Sequence, residues 1–276
     1  MASLGGAILA VLLLIAPIFA GDLSTQTIAL TLERQFAGPD ISYIVVDDTG
    51  AIIAQRWSDE SVPVGSLMKP FTALAYRRTH SAYPELVCRG SAGGCWRPAG
   101  PGRIGIVTAI AQSCNGYFRQ LGAGVSAMQL SAVLKSFDLP EFTSQNAAAR
   151  YGAGDAWRAP PAILLRAYLE LASRRQSEEV KPILEGMVNS ANNGTAALLQ
   201  PISGRALAKT GTAPCVHQSH APGDGYAVVL YPADAPRIGL LVRLHGQPGS
   251  HAAGVAGVML RAVIAPAATN FAAGSR

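Results

Sequence analysis

Charge is scarce in this 276-residue chain: Asp, Glu, Lys and Arg together make up 14%. That is too little for a disordered segment or a coiled coil. Lysine is the scarcest cation, with four copies at Lys69, Lys135, Lys181 and Lys209. The net charge of +5 comes mostly from arginines scattered singly along the chain. Without a dense basic run, nucleic-acid binding has no electrostatic footprint; a mildly basic chain suits an anionic surface instead. There is no internal repeat and no Pro/Gly/Ser-rich linker, which excludes a solenoid and a string of modules. What the chain does have is 49% hydrophobic residues, enough for the core of one domain spanning 21–276.

The first twenty residues carry no charge, and Leu4 to Phe19 is an apolar run ending in Pro17-Ile18-Phe19-Ala20 before Gly21. This reads as a secretory signal peptide over 1–20, with the small residue Ala20 at its cleavage site. The run is short for a membrane span, and the missing Lys or Arg ahead of it departs from the usual signal, so a retained anchor is the alternative. Export to a bacterial periplasm or cell envelope fits the four cysteines. Cys88 and Cys95 flank a glycine-rich stretch and are candidates for a disulfide closing a small loop.

Ile28, Leu32 and Phe36 are spaced for one face of a helix, with Ser24 or Thr25 as its cap. Ile41–Val46 and Ala51–Trp57 read as a β-hairpin around Asp47-Asp48-Thr49-Gly50. From about 70 to 200 the pattern is helical, with a clear helix after Pro160-Pro161. Segments 205–212, 225–231 and 237–244 are apolar strands, and a small-residue helix runs from His251 to about Ile264. The fold class is therefore α+β. A five-stranded antiparallel sheet, flanked by N- and C-terminal helices, packs against a helical subdomain.

Three short patterns carry chemistry. In Ser66-Leu67-Met68-Lys69, a helix starting at Ser66 places Lys69 one turn on, over the hydroxyl. A serine needs a neighbour to take its proton, and a desolvated lysine can do so. Ser113-Cys114-Asn115 supplies a relay hydroxyl and an amide. Lys209-Thr210-Gly211-Thr212, on a strand, supplies positive charge and hydroxyls for a carboxylate, with Gly211 leaving room for an extended substrate. Two of only four lysines fall in these patterns, which chance explains poorly.

These motifs, in this order, resemble the transpeptidase domain of penicillin-binding proteins, in the superfamily that includes the serine β-lactamases. Val64–Phe71 resembles the nucleophile segment, and Ser113–Phe118 the second motif with its helix. Tyr151-Gly152-Ala153-Gly154-Asp155, Gly194-Thr195-Ala196 and Ala208–Ala213 resemble the later landmarks. The resemblance implies a serine acyl-transferase on D-alanyl-D-alanine stem peptides of peptidoglycan, a D,D-transpeptidase or D,D-carboxypeptidase, inhibited covalently by β-lactam antibiotics. Ser66 would be the nucleophile, Lys69 its base, and Ser113 the proton relay with Lys209. Asn115, Thr210, Gly211 and Thr212 would bind substrate, and the backbone N–H groups of Ser66 and Thr212 would form the oxyanion hole. Tyr117, close after Asn115, is a candidate for the substrate groove; Trp96 and Trp157 are further candidates. No cofactor or metal is implied. The sequence shows neither a glycosyltransferase domain nor a pedestal, and the stretch between the first two motifs is short for the family, which implies a more open cleft, an accessory cell-wall protein as partner, or weak activity.

A β-lactamase is the enzymatic alternative, although no acid here sits in the E-x-x-L-N pattern of class A enzymes, and class D enzymes place valine where Asn115 stands. A silent docking or sensor domain is the non-enzymatic one. Cys215-Val216-His217-Gln218-Ser219-His220 reads as a polar turn, because the sequence shows no fourth ligand nearby for a structural zinc. His245 and His251 read as structural, and Cys114 as a spacer packed away from the cleft.

Overall fold

The computed structural model describes residues 19–57, 60–200 and 205–272. The helix α1 (Phe19–Gln35) leads into β1 (Ile41–Asp47) and β2 (Ile52–Arg56). Then follow β3 (Val62–Pro63), a 3-10 turn (Gly65–Met68) and α2 (Lys69–Arg77). The middle adds β4 (Leu86–Cys88), β5 (Gly102–Ile104), α3 (Ile106–Ala111), α4 (Asn115–Ala123), α5 (Ala127–Lys135) and β6 (Arg158–Ala159). It ends with α6 (Pro161–Ser173) and α7 (Lys181–Asn193). The chain closes with β7 (Leu207–Ala213), β8 (Asp224–Tyr231), β9 (Ile238–Leu244) and α8 (Gly249–Ala272). The five long strands form one antiparallel sheet in the order β2-β1-β9-β8-β7. It is the α+β architecture that the strand and helix pattern predicts. No helix among the described residues is long and apolar enough to cross a membrane.

Successive side chains of a strand point to opposite faces, and in β1, β8 and β9 both faces are buried. Tyr43, Val45, Ala227, Val229, Leu240 and Val242 join Leu32 of α1 and Ala256, Met259 and Leu260 of α8 in one core. Ile44, Val46, Val228, Leu230 and Leu241 join Leu67, Phe71, Leu164 and Tyr168 in the other, beneath the helical lobe. The strands therefore read as continuous apolar runs rather than as alternations. Ile28, Leu32 and Phe36 are buried as their spacing predicts. Helix α1, however, begins at Phe19, so Ser24 and Thr25 lie inside it instead of capping it. Apart from Phe19 and Ala20, the predicted signal segment lies outside the described residues.

The sheet and the lobe meet at the 3-10 turn, where the backbone of Gly65 presses against β7. Gly65 has φ +56, and a Cβ there would collide with the Thr212 carbonyl. Such a position favours glycine twice, by conformation and by space. The turn is fixed from the lobe side by the buried Tyr168 hydroxyl, which donates to the Leu67 carbonyl at 2.8 Å.

Gly65→Ala is therefore expected to lower unfolding stability by about 1–3 kcal/mol. Gly38→Ala, where a Cβ would meet nothing within 4 Å, should stay within about 0.5 kcal/mol of wild type. Urea unfolding of the two variants checks the contrast.

Candidate active site

Ser66 is the second residue of the 3-10 turn and half-buried. Lys69 N–H donates to the Ser66 carbonyl, the i to i+3 bond of a 3-10 helix, which eclipses side chains three apart. This puts Lys69 on the side of the turn that bears Ser66, and Pro70 follows in the first turn of α2 without loss of a donor. The Ser66 hydroxyl makes no hydrogen bond to the described residues and is open to the cleft.

Lys69 is fully buried, and its Nζ donates to the Ser113 carbonyl at 2.7 Å, Ser113 Oγ at 3.3 Å and Asn115 Oδ1 at 2.6 Å. From the other side, the equally buried Lys209 donates to Ser113 Oγ at 2.8 Å and to the Thr210 carbonyl at 2.7 Å. One hydroxyl is thus bracketed by two buried ammonium groups. Burial pushes Lys69 down to about 7. Burial, then the charge of Lys69, pushes Lys209 well below the ordinary lysine range. Two lysines sharing one neutral hydroxyl disfavour each other's charge, so the free base is more accessible at both than at an exposed lysine.

Ser113 reaches this point through strain. Its φ is +49, left-handed for a residue with a Cβ, a conformation that costs about 1–3 kcal/mol and gathers at functional sites. Asn115 opens α4, capped by Cys114 Sγ, which accepts from Tyr117 N–H at 3.4 Å. With Oδ1 held by Lys69, the Asn115 Nδ2 amide remains for a ligand. On β7, Thr210 Oγ1 meets Thr195 Oγ1 at 2.5 Å, and Thr212 Oγ1 accepts from Gly249 N–H at 3.1 Å. These residues line a cavity of about 410 Å³ with Ser66, Ser113, Asn115, Trp96 and Leu198. Since β7 is an edge strand, an extended peptide has unpaired backbone groups to join there.

All three motifs thus converge on one cavity, but three expectations change. Tyr117 is completely buried, its hydroxyl donating to the Pro84 carbonyl at 2.9 Å, and it is absent from the groove because α4 turns that face into the core. Trp157 likewise packs inward. Gly211 does line the cavity, but its small size also serves the protein: a Cβ would lie 2.8 Å from the Val64 carbonyl, so glycine lets β7 approach the turn that bears Ser66. Cys88 and Cys95 are not joined but are thiols. Their loop folds inward onto α4, and the Cys88, Cys95 and Cys114 sulfurs lie within 4.8 Å of one another. Burial lifts Cys114 to about 12. At Cys95 burial also acts upward, but hydrogen bonds from the Gly116 and Arg97 backbone outweigh it and bring the thiol to about 7.

Trp96, 56% exposed, and Leu198, 55% exposed, give the cavity an apolar lip. Leu198 and Thr195 have no motif of their own; Gly194-Thr195-Ala196 is the sequence signal that marks their loop. A larger cleft of about 970 Å³, between the β1–β2 turn, α6 and the β8–β9 turn, contains none of the motif residues.

No family model and no curated protein sequence matches the chain; solved structures do. One is PBP2 of Pseudomonas aeruginosa in complex with WCK 5153, at TM-score 0.70 and 18% identity over 88% of this chain and 73% of that one. Another is the transpeptidase domain of the FtsI4 D,D-transpeptidase of Legionella pneumophila, at TM-score 0.63 and 20% identity over 89% and 95%. A third is the complex of PBP2 and MreC from Helicobacter pylori, at TM-score 0.65 and 16% identity over 85% and 61%. The chain carries the transpeptidase fold of penicillin-binding proteins.

The buried lysines also set a pH dependence. An unfolded lysine titrates near ~10.4, and Lys69 in the fold near 7. Between those values the unfolded chain binds more protons, so unfolding free energy rises with pH. Between pH 7 and 9 the urea midpoint of the wild type is expected to climb, and to climb less in Lys69→Met.

Proposed function

We propose that the chain is an exported serine acyl-transferase that attacks the D-alanyl-D-alanine end of peptidoglycan stem peptides and is acylated by β-lactams at Ser66. The observation that carries this reading is the Ser113 hydroxyl held between Lys69 and Lys209 and lining the same cavity as the unengaged Ser66 hydroxyl. The fold shared with transpeptidase domains supports it, as does the apolar segment Leu4–Phe19 for export. The solved PBP2–MreC complex supports an accessory cell-wall protein as partner.

Free-base Lys69 takes the Ser66 proton as Oγ bonds to the carbonyl carbon of the penultimate D-alanyl residue. The oxyanion is stabilised by the N–H groups of Ser66 and Thr212, donors aimed at charge that develops only in the transition state. The proton passes from Lys69 to Ser113 and from Ser113 to the leaving amine, and D-alanine departs. Lys209 stays hydrogen-bonded to Ser113 throughout and steadies its oxygen. Asn115 Nδ2 holds the substrate backbone, and Thr210 and Thr212 receive its terminal carboxylate. A water or an amine then releases the acyl group by the same proton path in reverse.

Intact-mass analysis after exposure to a fluorescent penicillin tests this. A stable adduct mapped to Ser66 is expected in the wild type, none in Ser66→Ala, and labelling roughly 100-fold slower or worse in Lys69→Met. Fast release of ring-opened drug would make the chain a β-lactamase. No adduct at high drug concentration would leave a docking domain with a silent site.

A further inference from the structure

The turn between β7 and β8 is where the sequence shows Cys215 and His220 without partners for a metal. The fold brings two more donors to them. Asp224 begins β8 and pairs with Ala213 at the last rung of the β7–β8 ladder; His245 follows the end of β9. One donor atom each of Cys215, Asp224 and His245 lies within 4.8 Å of the others. His245 Nδ1 and Asp224 Oδ1 share a proton at 2.9 Å. The His220 and His245 ring centres are 5.9 Å apart. Gly246 lets His220 lie this close, since a Cβ there would come within 2.6 Å of its Nδ1.

We propose that Cys215, His220, Asp224 and His245 form a tetrahedral binding site for a borderline-soft divalent cation, zinc first, at the end of the hairpin that carries Thr212. The independent observation is Asp224 Oδ2. Asp224 is 1% exposed, and this oxygen has no hydrogen-bond partner. Its nearest cation, Arg243 Nη1, is 3.8 Å away. A buried carboxylate oxygen left unpaired is costly, and an ion bound through Oδ2 would satisfy it.

The donor chemistry fits. Zinc bonds sulfur at about 2.3 Å and nitrogen or oxygen at about 2.0–2.2 Å. Tetrahedral donors are then roughly 3.3–3.8 Å apart, so Cys215, Asp224 and His245, whose donor atoms lie within 4.8 Å of one another, need to close by about an ångström, and the exposed His220 turns in to supply the fourth bond. A thiolate and a carboxylate balance a divalent charge. His220 Nδ1 lies 2.8 Å from the Ala221 carbonyl; donating its proton there leaves Nε2 bare for the ion, the arrangement that orients metal-binding histidines. Cys215 Sγ donates to the His220 carbonyl at 3.4 Å, and uptake of the ion by the thiolate releases that proton. The ion would tie the 214–223 connection to the end of β9, beside the strand that bears the carboxylate-binding threonines.

Chelator-stripped protein titrated with zinc, then with cobalt(II), tests the site without reference to acylation. The expected result is one equivalent of zinc, a melting temperature that rises with zinc, and a tetrahedral cobalt spectrum with thiolate charge-transfer absorption. Cys215→Ser should abolish the cobalt thiolate band while keeping the wild-type far-UV circular dichroism. His220→Ala, at an exposed position, should weaken zinc binding at least ~10-fold. No uptake above the Cys215→Ser background would overturn the proposal. So would uptake that survives Cys215→Ser and disappears in Cys95→Ser, because the ion would then belong to the thiol cluster beside α4.

Discussion

Two lysine side chains buried against one serine hydroxyl set the terms for the rest of the molecule. Each ammonium is costly to bury unless hydrogen-bonded. Both are held, by Ser113 Oγ, the Ser113 and Thr210 carbonyls and Asn115 Oδ1. That arrangement needs the start of α2, the start of α4 and β7 to meet within hydrogen-bond reach. Most of the fold can be understood as the means of holding that three-way meeting.

The sheet supplies one arm and the lobe the other two. β7 is an edge strand, which leaves one side of Lys209–Thr212 facing the cavity while β8 secures the other. The two cores, one beneath α1 and α8 and one beneath the lobe, clamp the sheet from both faces. Their junction is tight enough that Gly65 and Gly211 must be glycine for the nucleophile turn to lie on β7. Strain at Ser113 is the local cost of placing its hydroxyl between the two buried lysines.

How far this was legible in the sequence depends on the range of the signal. β1, β8 and β9 were visible as apolar runs and β2 through its turn with β1, while rare lysines mark Ser66 and Lys209–Thr212, and Ser113-Cys114-Asn115 was found by its place between them. The two short ladders, Val62–Pro63 with Arg158–Ala159 and Leu86–Cys88 with Gly102–Ile104, have too few residues to show a period. Tyr117 misled because nearness to Asn115 in sequence says nothing of helix face: two positions along α4 turns a side chain most of the way around. Cys88 and Cys95 misled for a related reason. Their short spacing suggested a closed loop, whereas Cys114, distant in sequence, is the third member of their cluster. Asp224 and His245 were invisible as companions of Cys215 because only strand register brings them together.

The chain's poverty in lysine makes the central claim directly measurable. Lys135 and Lys181 are exposed, Lys69 and Lys209 buried, so the side-chain carbon resonances of four lysines can be followed by NMR as pH is raised. Two are expected to titrate near the ordinary value of ~10.4, Lys69 near 7, and Lys209 well below its ordinary range. Four ordinary midpoints would contradict the account, because no lysine would then be a free base where the proposed acylation requires one.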